Sequence, residues 1–181
     1  MKLWTLAALS TAGLLVLGTA GCGSNDGSAP SLSTGQLSLY YSDAAGPLSE
    51  LNVKFKQFAI YDTAGQKVTL ALADGDPAVN LIAAKDDPQL LKTFNIPTGD
   101  YNGVEGTFEI TTFKVAGDPY SCVVSDPSRT IPKVIVNGAA MRMTEAGMSI
   151  LIDIPVVSGN CPGAGDVGTV TLGNMTVAPH S

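Results

Sequence analysis

Two glutamates two residues to either side of Thr107, Glu105 and Glu109, are the pair in this 181-residue chain best suited by type and spacing to acid and base chemistry. Glycoside hydrolysis uses two carboxyl groups roughly 5–10 Å apart, one protonated and one charged. On a strand, residues at i, i+2 and i+4 share a face. The same alternation is also the wet side of a half-exposed strand, and that is the reading preferred for Glu105 and Glu109. Four aspartates supply a second chemistry. "ADGDP" carries Asp74 and Asp76, "KDDP" carries Asp86 and Asp87, and the two stretches flank a short apolar segment. Ca²⁺ takes six to eight oxygens, which converging aspartate loops would provide. The full D-x-[DN]-x-[DN]-G loop is absent, however, and aspartate before glycine or proline is ordinary turn chemistry. Ca²⁺ is thus the only cofactor left open. His180, the sole histidine, is next to last in the chain, where a fixed proton-transfer geometry is not expected. No Gly-x-Ser-x-Gly elbow, Ser-x-x-Lys pair or zinc-ligand spacing occurs. The expectation is a non-catalytic protein, the alternative a carboxylate-dependent or metal-assisted hydrolase of envelope or extracellular glycans.

The three cysteines divide by context. Lys2, an apolar run from Leu3 to Leu17 and the small residues Gly18, Thr19, Ala20 and Gly21 lead into Cys22. That order resembles the bacterial lipoprotein signal, with Thr19 where leucine is preferred. The resemblance implies that the Cys22 thiol receives a diacylglyceryl group, that residues 1–21 are cut away, and that the new amine is acylated. An ordinary secretory signal cut near Ala20 is the alternative. More than one acyl chain turns reversible membrane contact into stable anchoring, so Cys22 is expected to be an anchor. Gly23, in place of the aspartate associated with inner-membrane retention, implies the outer membrane in a cell that has two. Cys122 in "YSCVVSDP" and Cys161 in "SGNCPGAG" lie at loop or strand ends, and an exported protein keeps paired thiols oxidised. They are expected to be bonded, closing a loop of about 39 residues worth on the order of 4 kcal/mol in the chain-entropy model.

These residues must be positioned by the rest of the chain. The whole chain has a net charge of −6, and loss of the signal removes Lys2. Neither nucleic acid nor an anionic bilayer is attracted electrostatically. Residues 22–34 hold the lipidated cysteine and "GSNDGSAPSLST", a flexible tether with a reach of roughly 20 Å. Beyond it the apolar period is two: Leu37, Leu39 and Tyr41; Val68, Leu70 and Leu72; Val104, Phe108 and Ile110. Further runs at 133–136, 140–144, 148–155 and 169–177 alternate likewise, with Ile150, Ile152 and Ile154 inward and Asp153 outward. Helical period is confined to a turn within 78–91. Many strands with short polar turns predict a single all-β domain over 35–181, an antiparallel Greek-key β-sandwich of immunoglobulin-like or transthyretin-like type.

Two local features sharpen that reading. In "LNVKFKQFAIYD", Leu51, Val53 and Phe55 share one parity while Phe58 and Ile60 take the other, so a β-bulge is predicted at Lys56 and Gln57. In "IPTGDY", Pro97 fixes φ, Gly99 permits a positive φ, and the Tyr101 hydroxyl is placed to bond the corner backbone as in a tyrosine corner. The other role for Tyr101 is stacking on a ligand such as a sugar ring. The order "GQLSLYYSDAAG", "LNVKFKQFAIYD", "KVTLAL", "AVNLIAA" and "FNIPTGDYNGVEGTF" resembles domain-of-unknown-function family 4382, whose members are mostly lipid-anchored or secreted prokaryotic proteins. The resemblance covers residues 35–113. It departs at Ala45, where proline is expected, and in lacking an aromatic before "KVTL". It implies an envelope address and no catalytic residue. The expected role is a lipid-anchored module that binds a glycan or an envelope protein.

Overall fold

The computed structural model describes residues 33–42, 46–73, 76–136 and 140–181. Cys22, the signal, most of the tether and Asp74 lie outside the described residues. The alternating segments form strands β1 (Thr34–Ser42), β2 (Leu48–Asp62), β3 (Lys67–Ala71) and β4 (Val79–Asn80), then a 3₁₀ turn at Leu81–Ala84. There follow β5 (Gln89–Pro97), β6 (Gly99–Val115), β7 (Val123–Val124), β8 (Ser128–Ile135) and β9 (Met141–Met143). The chain ends with β10 (Met148–Asp153), β11 (Val156–Asn160), β12 (Val167–Leu172) and β13 (Thr176–Pro179). This turn, the only helical one among the described residues, falls within the segment singled out for it. Asn80 caps it, its side chain accepting from Ile82 N at 3.1 Å.

A four-stranded sheet in the order β13-β10-β1-β5 packs on a larger one in the order β3-β2-β6-β8, to which β4 and β9 add on β2 and β6. A small sheet, β11-β12-β7, completes the fold. Leu37, Leu39, Ile150 and Ile152 face inward from the first sheet, and Val53, Phe58, Phe108 and Ile131 from the second, in one continuous core. Tyr41 and Phe55 meet across the sheets with ring centroids 5.9 Å apart, and Phe55 touches Phe108 at 5.8 Å. The all-β sandwich read from the period of two is therefore the architecture. The pairing is not antiparallel throughout: β1 runs parallel to β10, and β12 to β7. A parallel pair needs a long crossover, and between β1 and β10 the chain builds the whole second sheet.

The bulge in β2 lies where the parity of its apolar residues changes. Its register with β6 slips between Phe55 and Gln57, leaving Lys56 as the extra residue and returning Phe58 and Ile60 to the core. Beside it, β6 carries Gly106 opposite Phe58, and a Cβ there would lie 2.6 Å from the Phe58 ring. The bare glycine lets that ring lie against the backbone of β6.

Candidate functional site

The outward face of the six-stranded sheet gathers most of the residues with chemical potential. Glu105 lies opposite Ala59 of β2, and Lys67 of β3 lies opposite Tyr61. Alternation along β2 puts Ala59 and Tyr61 on the same side, so Lys67 and Glu105 reach each other diagonally across the strand between them. The Lys67 ammonium donates to Glu105 Oε1. That bond first, and the Tyr61 hydroxyl second, hold the Glu105 carboxyl below its ordinary value. Lys133 lies over the Tyr61 ring with Nζ 4.0 Å from the centroid. Gly103 makes room for it, since a Cβ there would come within 2.8 Å of Lys133 Cε. One face of Tyr61 is thereby occupied by a cation.

Glu109, four residues along the same strand, is engaged separately. Lys56 Nζ lies 2.8 Å from its Oε2. The bulge has aimed this side chain, placing Lys56 on the wet face. Four residues of strand span about 13 Å, beyond the separation that lets two carboxylates act on one glycosidic bond. Each glutamate is thus one end of its own lysine pair on a solvated sheet face.

The aspartate loops behave similarly. Asp76 Oδ2 accepts from Lys92 Nζ at 3.0 Å and from Ala73 N at 3.1 Å, and the Lys92 bond is the main reason its carboxyl is held below the ordinary value. Asp86 and Asp87 are exposed in the turn before β5, where the Asp87 side chain accepts from Gln89 Nε2 at 3.2 Å. Among the described residues, no three histidine, cysteine or acidic side chains are grouped to hold a metal ion.

Tyr101 closes the corner anticipated for it. It is buried, and its hydroxyl donates to the Pro97 carbonyl at 2.8 Å. Gly99 between them has φ 155°, a region that side chains disfavour. Burial is the main cause that raises the Tyr101 phenol above its ordinary value. Buried and bonded, the ring is not an exposed stacking platform. The chain's last strand and His180 are held in place. Strand β13 pairs with β10, His180 N donates to Ser149 O at 2.9 Å, and the imidazole lies 4.4 Å from the Tyr40 ring. Asp153 faces outward between its buried isoleucine neighbours and accepts from Ser42 Oγ at 3.0 Å. Cys122 and Cys161 are bonded to each other with Cα atoms 5.6 Å apart. The disulfide joins the segment bridged to Phe113 of β6 with the end of β11.

Residue type alone did not disclose a cleft at the open side of the sandwich, lined by Phe55, Leu72, Asp76, Val79, Leu91 and Lys92. Its lining comes from four separate segments. The only sequence signal was the apolar pair Leu90–Leu91 breaking the alternation before Lys92.

No family model matches the chain, and no curated protein matches it. Among solved structures, the crystal structure of the human-specific toxin intermedilysin is similar at 11% identity with a TM-score of 0.25. That of wild type pneumolysin is similar at 12% identity with a TM-score of 0.24. In each case the match covers 78% of this chain and 23% of the other, so the chain spans about a quarter of the length of these proteins. Likeness at this level carries nothing about fold or activity.

Proposed function

We propose that the protein is a lipid-anchored cell-envelope protein whose β-sandwich is a non-catalytic binding or assembly module for a glycan or an envelope protein. The observation that carries the reading is the partition of the three cysteines. Cys122 and Cys161 are bonded to each other, so Cys22 stands apart from them, and the lipoprotein-like order of Lys2, the apolar run and the small residues before it supports its acylation. Disulfides persist in oxidising compartments outside the cytosol, which supports export. In a cell with two membranes the expected home is the outer one. The engagement of Glu105, Glu109 and Asp76 by lysines supports a module without turnover. The Glu105 and Asp76 carboxyls, each held low by its lysine, are poor proton donors at neutral pH.

The test is binding by the mature acylated protein to immobilised envelope glycans and purified envelope proteins, alongside hydrolysis assays on glycoside, ester, peptide and phosphoester substrates. Saturable binding without turnover is expected, unchanged in Glu105→Gln. Turnover that survives repurification and vanishes in Glu105→Gln or Glu109→Gln would replace this reading with a carboxylate hydrolase.

A further inference from the structure

The cleft at the open side of the sandwich has a volume of about 310 Å³ and lies between edge strand β5 and the six-stranded sheet. Its lining is mixed: Phe55 of β2, Leu72 just beyond β3, Val79 of β4 and Leu91 of β5 supply apolar walls, and Asp76 and Lys92 supply charged groups. Leu91 is the extra residue where the β1–β5 register slips, since Leu39 pairs with Lys92 and Tyr40 with Leu90. A one-residue bulge re-aims the side chains that follow it. Here it sets Leu91 and Lys92, neighbours in sequence, in the lining of one cleft.

The Lys92–Asp76 bond joins the four-stranded sheet to the loop leading into β4. The Lys92 side chain keeps 34% of its surface open to solvent, and its ammonium has three donors, of which Asp76 takes one. A small cleft with apolar walls and a few placed polar groups is the usual form of a small-molecule site, and this volume is at the low end of that class. It is too small for a helix or a folded partner, and an ammonium among apolar walls complements an anion with an apolar body.

We propose that this cleft binds a small monocarboxylate with a compact aliphatic or aromatic body, the body among Phe55, Leu72, Val79 and Leu91 and the carboxylate on Lys92 Nζ. The inference deepens the binding reading above and rests on it. Asp76 is then the internal competitor for the lysine, displaced or shared when the acid enters.

The probes are a fluorinated phenylpropanoate and its primary amide, followed by fluorine NMR on the full-length protein in nanodiscs with empty nanodiscs as the blank. The acid should bind saturably, and the amide at least tenfold more weakly. Lys92→Met should bring the acid to the level of the amide. Asp76→Asn, which removes the competing carboxylate while keeping the shape of the side chain, should tighten the acid severalfold and leave the amide unchanged. That gain in affinity cannot come from a misfolded variant. Equal binding of acid and amide, no binding beyond empty nanodiscs, or no response to Asp76→Asn would each overturn the proposal. Envelope targets that still bind while the acid does not would overturn this inference and leave the anchored binding module standing.

Discussion

At the scale of single residues the molecule uses its polar groups mainly to satisfy one another. The Tyr101 hydroxyl bonds a carbonyl that the corner would otherwise leave without it, so Tyr101→Phe should lower stability by about 1 kcal/mol or somewhat more. Denaturant unfolding at constant m-value measures it, and an unchanged midpoint would return Tyr101 to a role other than the corner. Glu105 and Asp76 both have folded-state pKa values below their ordinary ones, Lys67 and Lys92 being the respective first causes. The stabilisation each supplies is therefore complete above the ordinary carboxylate range and is lost as pH falls through the depressed folded value. Melting temperature should fall on acidification below about pH 4.5, the ordinary value for glutamate, and the fall should be shallower in Glu105→Gln and Asp76→Asn. Curves that superimpose on the wild type would show that the lysine pairs do not couple to folding. Exposed pairs of this kind contribute modestly, so the shape of the curve, not its depth, is the test.

At the scale of elements, much of the sandwich was legible because alternation is a local consequence of burying one face of a strand. The parity change in "LNVKFKQFAIYD" could be read from five apolar residues, and the slip at Lys56 has its physical basis there. Strand β5 was not legible: Leu90 and Leu91 are adjacent, and its register slip cancels the alternation that would have marked it. The parallel pairing of β1 with β10 was hidden for a different reason, because side-chain periodicity is the same in parallel and antiparallel strands. The cleft was hidden with it, since its walls meet only after those pairings form. Gly106 is another element-scale demand, invisible until Phe58 is seen opposite. Gly106→Val should force the Phe58 ring off β6 and cost about 1–3 kcal/mol, as overpacking does. An unfolding midpoint equal to the wild type would mean that the ring is not held against β6.

At the scale of the whole molecule, the proposed function makes the disulfide-bonded sandwich an exported domain held at the membrane through Cys22. The disulfide closes a loop with a sequence separation of 39 residues. Replacing Cys122 and Cys161 together with alanine should cost up to about 4 kcal/mol, less where the reduced chain retains structure. Thermal unfolding of the double variant beside the wild type, each with and without reductant, measures it. Only the wild type should respond to reductant, and a wild type that does not respond would contradict the bond. Recognition by an anchored domain needs no catalytic machinery, only a rigid scaffold presenting loops and clefts. Mass spectrometry of the N-terminal peptide of the mature protein from membranes decides whether Cys22 is a lipid anchor. A lipid-anchored protein gives a chain that begins at Cys22 with a diacylglyceryl thioether on its sulfur and an acylated amine, and that disappears in Cys22→Ala. A chain cut near Ala20, or one still carrying residues 1–21, with Cys22 as an unmodified thiol would contradict it.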